Sequence, residues 1–311
     1  MDSNSDELET YPLSSAFRES LPLPEWLDPQ FEAALLHVLD NPGSLVRPRM
    51  VMQVAAAYGL NTECAEPMAI ALEYFHTASL IFDDLPCMDD AVERRGVACV
   101  HAAFGESAAM LTALALINRA YALVWKPLAS GPAGAHPQII TYLEQRLGAE
   151  GLLNGQSLDL NYSNLPHTRE TTERIAWGKT VSLIRLTLVL PAMLGGAPAR
   201  DVQLLERIAL YWGLAYQTVD DLKDVLQSSS ESGKTVARDI LLDRPNLAAA
   251  IGVAGAMERL RRFLELGDRT LHSLLQRKPA LSFLSTLRVG LEEELNRVTT
   301  NAYEMTARDK S

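Results

Sequence analysis

The chain is poor in cysteine, in positive charge and in strand-forming pattern, and each shortage removes a class of protein. Its three cysteines, Cys64, Cys87 and Cys99, have no CxxC spacing and make an odd set. Neither a disulfide framework nor a zinc site is therefore expected, and a reducing, cytoplasmic setting fits. The 28 lysines and arginines are outnumbered by 39 aspartates and glutamates, for a formal charge of −11. That balance argues against nucleic acid or an anionic membrane surface as the main partner, so any anion site must be a local basic cluster. The most apolar run, Leu183 to Ala197, is shorter than a membrane span and carries Arg185, Gly195 and Gly196. It reads as a buried helix, and no stable membrane insertion is expected. The opening MDSNSDELETYPLSS has neither the basic nor the apolar region of a secretory leader. No GxGxxG follows a strand, which argues against a dinucleotide cofactor, and no Ser-His-Asp or Cys-His arrangement can be read from spacing.

What is present is helical pattern. Residues 1 to 24 lack periodicity and are expected to be loosely ordered; from residue 25 to 311 no composition shift marks a boundary, so a single domain is expected. Gly and Pro fall where helices should stop, as at Asn41-Pro42-Gly43, Gly59-Leu60-Asn61, Asn161 to His167 and Gly195 to Pro198. With 48% apolar residues a large core can form. The expectation is an all-α fold, one large helical bundle around a central cavity that holds the site.

Two aspartate clusters stand out inside these apolar helices: Asp83-Asp84-Leu85-Pro86-Cys87-Met88-Asp89 and Asp220-Asp221-Leu222-Lys223-Asp224. Like charges gathered in a fold repel one another and resist desolvation, whereas oxygen-rich sites suit Mg²⁺, which also bridges phosphates. Gln217, Asp220, Asp221 and Asp224 recur at helical spacing on one face, and so do His76, Leu80 and Asp83 or Asp84. Pro86 ends the first helix, leaving carboxylates at the negative end of its dipole, where structure alone would not choose them. A solvated acidic face is the plain alternative.

Basic residues follow each cluster. Arg94 and Arg95 lie a short loop beyond the first; they either grip phosphate or merely neutralise their acidic neighbours. Gly178-Lys179-Thr180 opens a long apolar helix from which the lysine could snorkel outward. Gly233-Lys234-Thr235 sits in a Ser-rich stretch without P-loop spacing. His76 taken alone reads as a core histidine.

Together FHTASLIFDDLPCMDDAVERRG, Gly178-Lys179-Thr180, AYQTVDDLKDV and SGKTVARD resemble the trans-isoprenyl diphosphate synthase (polyprenyl synthetase) family, in order and interval, from about residue 40 to the end. The resemblance implies an isoprenoid synthase-like helical bundle, a homodimer, and two aspartate motifs facing across a cavity. It implies Asp83, Asp89 and Asp220 as main Mg²⁺ ligands, three ions per site, with Asp84, Asp221 and Asp224 in support. It assigns Arg94, Lys179, Thr180, Gln217 and Lys234 to the allylic diphosphate and Arg47, His76 and Arg95 to isopentenyl diphosphate. Ala307-Arg308-Asp309-Lys310 resembles a basic tail that folds over the site.

The chain departs from the family where GGKRxRP is usual: the stretch is Pro42-Gly43-Ser44-Leu45-Val46-Arg47-Pro48, with Ser44 for the lysine and Leu45 for the arginine. The expected function is condensation of an allylic diphosphate with isopentenyl diphosphate. Small residues Ala78 and Ser79 before the first aspartates favour a C20 product. The departures at Ser44 and Leu45 leave open a terpene cyclase on the same scaffold, which would not use isopentenyl diphosphate, or a non-catalytic regulatory subunit.

Overall fold

The computed structural model describes residues 13–130, 136–228 and 244–308. Among these the fold is helical almost throughout: α1 (Leu13–Glu19), α2 (Pro29–Leu39), α3 (Val46–Ala57), α4 (Thr62–Asp83), α5 (Val100–Phe104), α6 (Glu106–Ser130), α7 (His136–Leu147), α8 (Leu152–Leu160), α9 (Arg169–Leu194), α10 (Ala199–Ser228), α11 (Leu247–Arg277) and α12 (Phe283–Arg308). One short antiparallel hairpin, β1 (Glu93–Arg94) with β2 (Val97–Ala98), interrupts them. The expected all-α class is therefore correct.

Helix starts carry the caps that their sequences supply. Asp28 accepts from the amides of Gln30 and Phe31 ahead of α2, with Pro29 in the first turn. Asn61 caps α4 and Asn246 caps α11 in the same way, each filling an orphan donor.

Where the sequence shows no boundary, the described residues divide into two compact units: one runs to Ile139 and includes Leu190–Gly196, and the other holds Ile140–Val189 and the residues from Ala197 on. The first unit is built on α4, which is buried on nearly every side from Met68 to Ala78 and lies against α3 and α6. Helix α1 also lies on it, which corrects the expectation of a loose segment through residue 24. Phe17 is fully buried there, edge-on to Tyr74, whose hydroxyl donates to the Phe17 carbonyl. Burial of one such ring contributes about 1.5–3 kcal/mol, enough to order a short helix that periodicity could not reveal.

In the second unit α10 and α11 pair along a core of Leu214, Val219, Leu222, Leu247, Leu260 and Phe263. Helices α6 and α9 are each long and apolar enough to cross a membrane by composition. The apolar stretch of α9 is longer than the sequence reading allowed, and 78% of its window is buried within the fold, so its apolar residues are core residues.

Candidate active site

The first aspartate cluster is made by the end of α4. Asp83 is the last helical residue and Asp84 the cap, with Pro86 two residues on. The chain then folds back: the Asp89 amide donates to the Asp83 carbonyl (2.9 Å), the Ala91 amide to the Asp84 carbonyl (3.1 Å), and the Met88 and Asp90 amides to Leu85. These bonds satisfy carbonyls that the helix end leaves open, and they carry Asp89 back beside Asp83. Asp83 and Asp89 are half-buried, whereas Asp84 is 5% exposed.

Beyond the short loop that follows the first cluster, the two arginines lie on the β1–β2 hairpin. Arg95 and Gly96 form its turn with positive φ at both, 55° and 79°, as a two-residue hairpin of this kind requires. The hairpin returns Arg94 to Asp84: Nη2 lies 2.7 Å and Nε 3.0 Å from the Asp84 carboxylate. Burial works against the Arg94 charge, but the hydrogen bonds and charge of Asp84 outweigh it and hold the guanidinium above its usual range. Asp84 thus anchors Arg94 through Nε and Nη2.

Arg47, His76 and Arg95 also belong to this unit. The Arg95 guanidinium lies against Gly43 so closely that a Cβ there would fall 2.2 Å from Nη1. Gly43 also has a positive φ of 73°. Leu45, where the family has a charged residue, is left-handed and buried. His76 is buried with Nδ1 unpartnered, and burial, then Arg47, Arg95 and Arg94, drive its pKa well below the ordinary histidine value. It is a neutral imidazole at pH 7.

The second cluster is positioned by two close helix crossings. A Cβ on Gly155 of α8 would fall 2.2 Å from the Lys179 amide, and one on Gly178 of α9 2.8 Å from the Gly155 Cα. Backbones can meet so closely only without side chains. One turn beyond Gly155 stands Asp159, which receives Lys179 Nζ at 2.9 Å. Similarly, a Cβ on Gly213 of α10 would meet Val181 at 2.8 Å, and one turn on Gln217 Oε1 accepts from Thr180 at 2.7 Å. Gln217 Nε2 then donates to Asp221 Oδ1 (2.9 Å), whose Oδ2 accepts from the Leu247 amide (2.8 Å) at the start of α11. Asp221 is 1% exposed, Asp220 is exposed and Asp224 half-buried.

In each adjacent aspartate pair, then, the first carboxylate is accessible and the second is built into the fold. Asp83 and Asp89 are brought together in one unit; Lys179, Thr180, Gln217 and Asp221 are brought together in the other. Lys234, Asp309 and Lys310 lie outside the described residues.

Three groups escaped the sequence reading: Glu73, Asp159 and Arg244. Glu73 had a signal, an acid on the same α4 face as His76, Leu80 and Asp83. Asp159 had none, since its partner Lys179 is 20 residues away. Arg244 Nη1 approaches Asp159 Oδ2 at 3.9 Å and its carbonyl at 3.4 Å.

No three acidic, imidazole or thiol side chains among the described residues gather closely enough to hold a metal alone. The residues still fit Mg²⁺, which retains waters and is held by one or two carboxylates plus substrate phosphates. Asp83 with Asp89 on one unit, and Asp220 with Asp224 on the other, offer such incomplete oxygen sets.

A profile of the polyprenyl synthetase family matches residues 28–272. The chain belongs to the polyprenyl synthetase family. Among its relatives is a farnesyl diphosphate synthase of Bacillus subtilis, 31% identical over 274 residues, which are 88% of this chain and 91% of that protein. A chloroplastic geranylgeranyl pyrophosphate synthase of Capsicum annuum is 37% identical over 221 residues, 70% of this chain and 59% of that one. A geranyltransferase from Helicobacter pylori, solved with magnesium and isoprenyl diphosphate, is 26% identical, with a TM-score of 0.75 and 96% of each chain covered. The Helicobacter pylori protein shares the helical fold of this chain.

Proposed function

We propose that the protein is a Mg²⁺-dependent prenyltransferase that joins an allylic diphosphate to isopentenyl diphosphate and releases a C20 prenyl diphosphate. The observation that carries this is the paired build of the aspartate clusters, each with an accessible carboxylate beside a structural one and each neighbouring a positioned cation. Asp83, Asp89, Asp220 and Asp224 would hold the ions, three per site. When bound there, Mg²⁺ would supply positive charge that offsets the charge of the diphosphate leaving group. Lys179, Thr180, Gln217 and Lys234, with Arg94, bind the allylic diphosphate and stabilise the charge that grows on it as its C–O bond ionises. Arg47, His76 and Arg95 hold isopentenyl diphosphate, whose double bond attacks the allylic cation. The proton lost in forming the new alkene passes to released diphosphate. Exclusion of water keeps the cation from being quenched.

The C20 length follows from small residues one turn before Asp83. Ala78 is fully buried, while Ser79 is half-buried and donates to the His76 carbonyl. Phenylalanine at either position should shorten the product; the same chain length from both variants would remove this account.

Homodimerisation is supported by α6, which presents Met110, Leu114, Tyr121 and Trp125 outward at helical spacing. A cytoplasmic site of action fits free Cys64, Cys87 and Cys99. The deciding experiment incubates purified protein and Mg²⁺ with farnesyl diphosphate, with and without isopentenyl diphosphate. Elongated diphosphate formed only with both substrates is expected. Hydrocarbons or alcohols formed without isopentenyl diphosphate would make it a cyclase, and turnover restored only by a partner chain would make it a subunit.

A further inference from the structure

We propose a second anion-binding site, built from none of the aspartate-cluster residues, in which Arg146 of α7 and Arg185 of α9 take a phosphate-class oxyanion beside Trp177. It does not rest on the prenyltransfer reading.

The two arginines share one aromatic ring. The Arg185 guanidinium carbon lies 4.8 Å and that of Arg146 5.9 Å from the centre of the Trp177 ring, and Arg146 also lies 4.9 Å from the centre of the Tyr142 ring. Aromatic faces attract a guanidinium, but the N–H groups at its edge still need acceptors. The carboxylate that meets the pair is Glu206 of α10. Its Oε2 lies 2.8 Å from Arg185 Nε, and its Oε1 accepts from the Tyr142 hydroxyl. One carboxylate, already shared with a tyrosine, thus faces two guanidiniums, and the cluster keeps a net positive charge.

Arg185 is 7% exposed, and arginine is almost never so buried unless its charge is matched. Its Nη1, and Nε of half-buried Arg146, are buried with no hydrogen-bond partner among the described residues. Unsatisfied buried donors call for a water or an ion. Burial lowers the Arg185 pKa; Glu206 opposes the shift and Arg146 adds to it, so a bound anion would relieve both costs. Trp177 is 36% exposed, which brings the cluster to the surface. Guanidinium forks match the several oxygens of phosphate or diphosphate. Arginines that only braced three helices would bind neither.

Tryptophan fluorescence tests this. Inorganic phosphate and inorganic diphosphate are titrated separately into the full chain without Mg²⁺, at an ionic strength held constant with NaCl. A saturable change is expected in the wild type and should vanish in Trp177→Phe, which keeps Trp26, Trp125 and Trp212. Arg146→Met should weaken binding about tenfold. Arg146→Lys, which keeps the charge without the fork, should fall between and serves if the methionine variant does not fold. Lys179→Met, which alters the substrate site, should leave the curve unchanged. No saturable change with either anion overturns the proposal, as does equal affinity in wild type and Arg146→Met. A signal lost in Lys179→Met but kept in Arg146→Met belongs to the substrate site and overturns it too. No prenyl substrate enters the assay, so its failure leaves the prenyltransfer reading untouched.

Discussion

Asp220 and Asp221 are chain neighbours with opposite exposure, and substitution should separate them. Asp221 closes a chain of hydrogen bonds from Thr180 through Gln217 to the first amide of α11. Asp221→Ala should therefore lower stability by about 2–3 kcal/mol in urea unfolding. Asp220→Ala should leave stability within about 0.5 kcal/mol, as exposed positions do, yet cut turnover about a hundredfold. Ser44 offers a gain: Ser44→Lys puts a cation three residues before Arg47 and should lower the isopentenyl KM about tenfold. His76 titrates below its ordinary value, so the unfolded chain binds more protons than the fold as pH drops below about 6.5. Its share of stability is present above that pH and lost as pH falls toward the depressed value. The raised Glu73 pKa works in the opposite sense above about 4.5, so the His76→Gln difference, followed by urea titration from pH 7 to 5, isolates the histidine. Its stability should fall less than that of the wild type.

At the scale of elements, the crossings at Gly155 with Gly178 and at Gly213 with Val181 share one design. The small residue lets two helices meet, and the functional side chain lies one turn on. Gly155→Ala would force its Cβ into the Lys179 backbone, 2.2 Å away. Overpacking of this kind costs about 1–3 kcal/mol. The shift should also move Lys179 from Asp159 and raise the allylic KM, with the isopentenyl KM unmoved; calorimetry and two-substrate kinetics check both. Helix α4 shows how far pattern reaches. Its end at Asp83 follows from Pro86, but the fold-back that sets Asp89 beside Asp83 depends on backbone bonds no spacing rule contains.

For the whole molecule, the negative charge and the helical pattern set the class, while assembly rests on an exposed face. Leu114 and Trp125 are 54% and 57% exposed on α6. If that face joins two copies, glutamate at both positions should halve the mass seen by light scattering, from twice 34.2 kDa to 34.2 kDa. An unchanged mass would move the interface elsewhere.

The order of motifs alone determined the helical class, the family, and the residue types of the site, because those follow from local periodicity and from acids placed where apolar neighbours make them costly. Tertiary structure decided which member of each aspartate pair is buried, that Arg94 is anchored by Asp84, and that Asp159 stands behind Lys179. Those roles depend on which distant segments meet, and a buried charge acquires its partner only when the chain has folded around it.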